Sequence, residues 1–288
     1  MKIEYKATKS DKLISSILEH NKQLNYNQIK TALRKKDVKV NSKRVNADIS
    51  IKSDDLIEIF LPAKKPIEIE RIFEDENIVV VNKPQGIEVT KKDKAFNSLC
   101  LEELVGALAC HRIDKNTEGL VILAKNNKVL KEMENGFKTN SIHKNYLTIT
   151  NGKPKNEAHL FAYLKKDSVK NMVKISEKQT DGAVPIETAY KLLKQKGELN
   201  LLDVELLTGK THQIRAHLAY MGLNILGDEK YGDKLFNKKY HIKKQCLCAY
   251  KLSFGFNQNS FLNYLNKTEI IISPSFDIEK LIKQQNSN

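Results

Sequence analysis

Tryptophan is absent from this 288-residue sequence, and proline (6) and glycine (12) are sparse. A collagenous or Pro/Gly-rich low-complexity chain is thereby excluded. Cysteine is also rare: Cys100, Cys110, Cys246 and Cys248 contain no C-x-x-C pair, and Cys246-x-Cys248 is too close-set for a zinc knuckle. Cys110 and His111 are adjacent, but two further ligands at suitable spacing are missing. No metal is expected, and the thiols read as reduced core residues. No apolar run approaches the ~18 residues of a membrane-spanning helix; Ile78–Val81 and Leu120–Ala124 are typical of the longest. Met1–Lys6 has neither an apolar core nor a small-residue cleavage site, so no secretory leader, no membrane role and a cytoplasmic location are expected.

Negative charge is in deficit. Lys+Arg number 49 against 35 Asp+Glu, a net charge of +14, with an isoelectric point near 9.4. Such a surplus fits a polyanionic partner: nucleic acid, anionic lipid or phosphorylated ligands. Arginine itself is scarce (Arg34, Arg44, Arg71, Arg112 and Arg215), so each one stands where lysine would not serve. What remains is globular in proportion, 40% hydrophobic and 29% charged, and long enough for about two domains.

The first 61 residues read as a small module. Leu13, Ile14, Ile17 and Leu18 form one apolar stripe of a helix opened by Ser10 and Asp11. A second helix carries Ile29 and Leu33 on one face and Lys30, Arg34 and Lys35 on another. Val38–Val45, turned at Asn41-Ser42, and Ile49–Phe60 alternate as strands. Residues 62–68, with Pro62 and Pro66, read as an extended linker. From residue 69 to 288 strand-like alternation dominates, clearest in Ile78–Val81, Leu120–Ala124, Tyr146–Thr150, Ala158–Tyr163, Leu199–Leu207 and Cys246–Phe256. Helices are predicted over Asn126–Phe137, Thr211–Met221 and Phe276–Gln285. The expected fold is α+β on a mixed, mostly antiparallel sheet.

Several short segments carry chemistry. His111-Arg112-Ile113-Asp114 packs three ionisable residues into four positions before a buried strand. Such a cluster reads either as a capped, solvated turn or as a reactive site. Thr208-Gly209-Lys210-Thr211-His212-Gln213-Ile214-Arg215 opens a helix with Thr211 as N-cap and Ile214, Leu218 and Met221 facing the core. Arg215 then lies at the edge of that stripe, free to project along a cleft. Gly209-Lys210-Thr211 suggests a phosphate loop, but Val204 stands where its first glycine is required, in mid-strand. Lys144-Asn145-Tyr146 starts a strand, and Ile225–Asp233 is a glycine-punctuated loop that by itself says only turn.

Two resemblances follow from these segments. Asp11–Leu61 resembles an S4 RNA-binding domain, with Val38-Lys39-Val40-Asn41-Ser42-Lys43-Arg44-Val45 matching V-x-V-N-G-K-x-V. Ser42 replaces the turn glycine, and Ser53-Asp54-Asp55 stands where that family has Gly-Asp. Residues 69–276 resemble the RluA-type (RluA/RluC/RluD) pseudouridine synthases, through H-R-L-D-x-x-T-S-G-L at His111–Leu120, K-x-Y at Lys144–Tyr146, T-G-R-T-H-Q-I-R-x-H-L at Thr208–Leu218, I-L-G-D-x-x-Y-G at Ile225–Gly232 and N-K-P-x-G at Asn82–Gly86. The departures are Ile113 for Leu, Glu118 for Ser, Lys210 for Arg and Cys248 where His is usual.

The resemblance implies an enzyme that breaks the C1′–N1 bond of uridine, turns the uracil and joins C1′ to C5 without a cofactor. Asp114 is implied as the ionised carboxylate, attacking the sugar or removing a ribose proton. Arg215 is implied as its guanidinium partner, since a nearby cation favours a carboxylate's charged form; replacing Arg215 by Ala is expected to spare the fold and remove turnover. Tyr146 is implied to pack against the base or to help the C5 proton leave, and Leu207 to form an apolar wall. His111 and Arg112 would contact phosphate or neighbouring bases once the nucleotide has flipped. Lys30, Arg34, Lys35 and Arg44 would attract the RNA backbone. The partner is RNA, large-subunit ribosomal RNA ahead of transfer RNA, bound by a monomer with no obligate protein partner. The rival reading is an RNA-binding protein with a degenerate larger domain; intact Asp114, Tyr146 and Arg215 argue against it.

Overall fold

The computed structural model describes residues 2–22, 24–61, 67–91, 99–167 and 169–286. The centre of the expected linker, 62–66, lies outside them. The chain forms two compact units, which part at Glu68 and Ile69.

In the smaller unit, helices Leu13–His20 and Tyr26–Arg34 pack on a four-stranded antiparallel sheet through Leu13, Ile17, Ile29, Val38, Ile57 and Ile59, all buried. The expected single strand 49–60 is two, Ser50–Ile51 and Leu56–Phe60, parted by a turn with Asp54 at φ +70°. Ser10 and Asp11 do not open the first helix. Asp11–Lys12 pairs with Ser50–Ile51, and the cap comes from Asp48, whose Oδ1 accepts from Ile14 N–H at 2.9 Å. The second helix has a reciprocal capping box between Asn25 and Gln28. Asn41 and Ser42 both take positive φ, the two-residue hairpin geometry that usually recruits glycine. Asn41 supports the turn by hydrogen bonds to Leu56 N–H and the Asp55 carboxylate.

The larger unit is built on one sheet whose main path runs Met172–Ser176, Glu157–Asp167, Val184–Lys196, Leu199–Leu206, Ile142–Thr150, Leu247–Phe254, Glu118–Ala124, Ile78–Lys83, Glu70–Glu74. Every pairing among the described strands is antiparallel except one: Glu118–Ala124 runs parallel to Leu247–Phe254. Ile78–Val81 and Leu120–Ala124 are continuously apolar because both sheet faces are covered there. Val79, Val81, Val121 and Leu123 pack on one side with Ile214 and Leu218. On the other side Ile78, Val80, Leu120 and Ile122 meet Val129 and Met133 of helix Asn127–Lys138. Long strands at Met172–Ser176 and Val184–Lys196 were not expected from the sequence; the exposed, lysine-rich end of the second hides its alternation.

The parallel crossing depends on one glycine. Gly119 has φ +120°, and a Cβ there would stand 2.3 Å from the Ala249 carbonyl oxygen. The strand it begins follows the turn that carries Asp114. Gly119→Ala is therefore expected to cost about 3 kcal/mol and lower the melting temperature by roughly 6–12 °C. Thermal unfolding followed by circular dichroism checks this; an unchanged midpoint would show that the crossing has slack.

Candidate active site

The turn before Glu118 is anchored from below. Lys83 is fully buried, and its amine donates to the carbonyls of Pro84 (2.9 Å), Ile87 (3.0 Å) and Lys115 (3.2 Å). Burial lowers its pKa to about 8, against the pull of Asp114 and Glu118. From above, His111 Nε2 accepts from Ile122 N–H at 3.0 Å. The hydrogen of a neutral ring then sits on Nδ1, which is buried without a partner among the described residues. Desolvation and Lys144 hold the His111 pKa well below its usual value. The ring therefore braces the turn, with neither nitrogen offered to solvent. Arg112 points outward and is exposed.

Between these anchors Asp114 opens into a cleft of about 570 Å³ that Tyr146, Leu207, His212 and Arg215 also line. His111 and Arg112 border the same cleft, so it gathers the residues expected from the larger domain. Lys30 and Arg34 border a separate hollow in the smaller unit, where Arg44 donates to the Lys36 carbonyl at 2.7 Å and Lys35 is exposed.

The guanidinium of Arg215 organises the cleft floor. Its Nη1 donates to Asp114 Oδ2 at 2.7 Å, while Nε and Nη2 grip the two oxygens of Asp228 at 2.6 and 2.9 Å. Arg215 is 6% exposed and Asp228 1%. Burial opposes the charge of Arg215, but the two carboxylates raise its pKa above the ordinary value. Burial also works to raise Asp228, yet Arg215 and the N–H groups of Tyr231 and Lys230 override it and lower the pKa. The Asp114 side chain keeps 23% of its surface open, so of the two carboxylates it is the one a ligand can reach.

Asp228 escaped the sequence reading because its segment looks like a turn. Its presence changes one expectation. Arg215→Ala would leave the buried Asp228 carboxylate with its backbone donors but no counter-charge, a change that costs about 3–5 kcal/mol, so the fold would not be spared.

Helix Gln213–Tyr220 aims the arginine. Thr211 does not cap it. The residue before the first turn is His212, held in the left-handed region at φ +57°, while Gln213 bridges Lys210 N–H, the Thr208 hydroxyl and the Glu187 carbonyl. Met221 is 49% exposed, so the core stripe is Ile214 and Leu218 alone. Tyr231 accepts from Val173 N–H at 2.8 Å and shares a 3.0 Å hydrogen bond with His212 Nδ1. The other ring nitrogen, Nε2, faces Asp114 Oδ2 at 3.9 Å. Desolvation lowers the His212 pKa, which keeps the ring neutral. Tyr146 is 5% exposed, and burial beside Asp114 raises its phenol pKa.

In this site a buried Arg is fixed by one carboxylate and presents a further N–H to a second, partly open one. The family model described as RNA pseudouridylate synthase matches residues 77–220, which include Asp114, Tyr146 and Arg215 and stop short of Asp228. The chain belongs to the RNA pseudouridylate synthase family. It is 31% identical over 260 residues to ribosomal large subunit pseudouridine synthase C of Rickettsia felis, covering 79% of this chain and 84% of that one. It is 36% identical over 203 residues to an uncharacterized RNA pseudouridine synthase of Mycoplasma genitalium, covering 64% of this chain and 62% of that protein's length. The solved structure of human RNA pseudouridylate synthase domain containing 4 shares the fold, with 20% identity, a TM-score of 0.61, and 75% and 93% of the two chains covered.

Within this pseudouridine synthase frame the departures lie outside the Asp114–Arg215 contact. Glu118 accepts from Ser275 N–H (2.8 Å) and Oγ (2.6 Å), tying the strand to a distant loop. Cys248 pairs in register with Glu118, and burial raises its thiol pKa.

Because the Asp228 pKa is lower folded than unfolded, its stabilisation is complete above the ordinary carboxylate value of 3.8 and fades as pH falls below it. Asp228→Asn is expected to lower stability by about 3 kcal/mol at neutral pH and to flatten the acid limb of the stability curve. Urea unfolding at pH 3, 5 and 7 measures both, and parallel curves for the two proteins would contradict the assignment.

Proposed function

We propose that this protein converts uridine to pseudouridine in large-subunit ribosomal RNA, with Asp114 as the reacting carboxylate. The observation that carries the reading is the 2.7 Å contact from buried Arg215 to the half-open Asp114, in a cleft walled by Tyr146 and Leu207. The substrate follows from the relatives, which are named ribosomal large subunit pseudouridine synthases C and D.

The chemistry runs on this chain's own groups. A uridine leaves its stack and its base enters against the Tyr146 ring, at a cost of about a few kcal/mol. Asp114 either bonds to the sugar or takes a ribose proton; both routes need an ionised carboxylate, which Arg215 orients. The C1′–N1 electron pair departs with the uracil; after the ring turns, C5 bonds to C1′ as the Asp114–sugar bond breaks or as Asp114 returns the ribose proton, and the C5 proton is lost while N1 gains one. Tyr146, its phenol kept protonated by burial, serves as the wall of the base site; this supports packing over proton acceptance. The smaller unit, read as an S4-like domain, docks RNA backbone through Lys30, Arg34, Lys35 and Arg44, all exposed. The protein acts in the cytoplasm as a monomer, with no obligate protein partner and no membrane association. No helix among the described residues is long and apolar enough to cross a membrane.

Asp114→Asn should leave no measurable pseudouridine in ribosomal RNA on mapping, and turnover equal to the parent would refute the reading. An acid–base role for Tyr146 would cost about 10²–10⁴-fold in rate. Tyr146→Phe is expected to stay within about tenfold of the parent kcat. Replacing Lys30, Arg34 and Lys35 together by Gln should raise KM at physiological salt far more than at low salt, because screened backbone contacts are what it removes. A salt-independent KM ratio would argue that the smaller unit does not hold RNA.

A further inference from the structure

Of the cations in the cleft, Arg215 is consumed by two carboxylates, and Arg112, Lys138 and Lys210 stand exposed on its rim. Lys144 differs from all of them. It lies inside, partly buried, yet no hydrogen bond or ion pair to its amine occurs among the described residues. The amine lies over the Phe137 ring, whose centroid is 4.6 Å from Nζ. Across the gap a Cβ at Gly209 would be 3.7 Å from the same nitrogen, so the loop wall stands next to the amine without offering it a carboxylate. Desolvation lowers the Lys144 pKa to about 8. A desolvated ammonium with no counter-charge is costly, and such groups are normally paired.

The strand places this charge relative to the base site. Successive side chains alternate faces, so Lys144 and Tyr146 point to the same side of strand Ile142–Thr150, about 6.7 Å apart along it. The position is one where the backbone of a nucleotide whose base rests on Tyr146 can pass.

We propose that Lys144 is the binding site for a phosphodiester of the RNA strand, the one attached to the nucleotide seated against Tyr146. This rests on the cleft being the uridine site. The phosphate replaces the lost hydration of the amine, and Phe137 holds the lysine stem so that little freedom remains to be lost on binding. Sequence-independent contacts of this kind fix register, leaving selection to the base.

The test uses the full-length protein and a ribosomal RNA fragment that the parent modifies. Binding is followed against salt in an Asp114→Asn background, where turnover does not interfere, for Lys144, Lys144→Met and Lys144→Arg. Methionine keeps the packed stem and removes the charge; a thermal melt confirms that each variant is folded. The expected result for Lys144→Met is about tenfold weaker binding and a salt slope smaller by ~0.7, the loss of one single-strand phosphate contact, with Lys144→Arg restoring the slope. In otherwise unaltered enzyme, KM should rise more than kcat falls. A folded Lys144→Met variant with the parent's salt slope would overturn the phosphate site. Failure of the parent to make pseudouridine would instead sink the reading of the cleft, so the two failures are distinguishable.

Discussion

One guanidinium holds this site together. Arg215 has five N–H donors in a rigid fork, and the structure spends three of them on two carboxylates with opposite tasks. Asp228, wholly enclosed, fixes the plane of the guanidinium through a two-point grip. Asp114, partly open, receives a third N–H and keeps its other oxygen for the cleft. A lysine could neutralise one carboxylate but could not orient between two. In a chain with five arginines against 44 lysines by subtraction from 49, that is where an arginine is needed.

The rest of the larger unit serves to bring these groups to one place from far apart in sequence. Asp114 is 101 residues from Arg215, and Asp228 is 13 beyond it. The parallel crossing at Gly119 lets the Asp114 strand lie against Leu247–Phe254, Lys83 clamps the turn from beneath, and the helix bearing Arg215 is pinned by Gln213 to the neighbouring strand. Each anchor is a buried polar group satisfied by backbone, so the geometry is set by the sheet rather than by mobile side chains. The neutral imidazoles extend the same logic: His111 is braced against the backbone of Ile122, and His212 against Tyr231, which Val173 holds in turn.

Much of this was legible in the sequence. The order of the short motifs identified the family, Asp114 and Tyr146 fell where their segments predicted, and the position of Arg215 just off the apolar stripe anticipated its approach to the cleft. What escaped did so for physical reasons. Asp48 caps a helix through Ile14, 34 residues before it, and no local window can see that. Asp228 sits among glycines whose turn signal masks a buried ion pair. Thr211 had the chemistry of a cap, but the neighbouring strand recruited Gln213 and forced His212 into a left-handed bend instead. Val184–Lys196 pairs along most of its length as a strand, although its last residues face solvent and read as polar coil.

The charge sum of the Arg215 trio has a consequence for how a polynucleotide can enter. One cation between two carboxylates leaves the floor of the hollow with a net charge of minus one, while Lys144 stands on its wall and Arg112, Lys138 and Lys210 at its mouth. Such a gradient repels a phosphate from the floor and draws it to the wall and lip. A strand arriving there is sorted end for end before any base is read: its ionic ribbon is held above the floor, and only an uncharged ring can descend to Asp114.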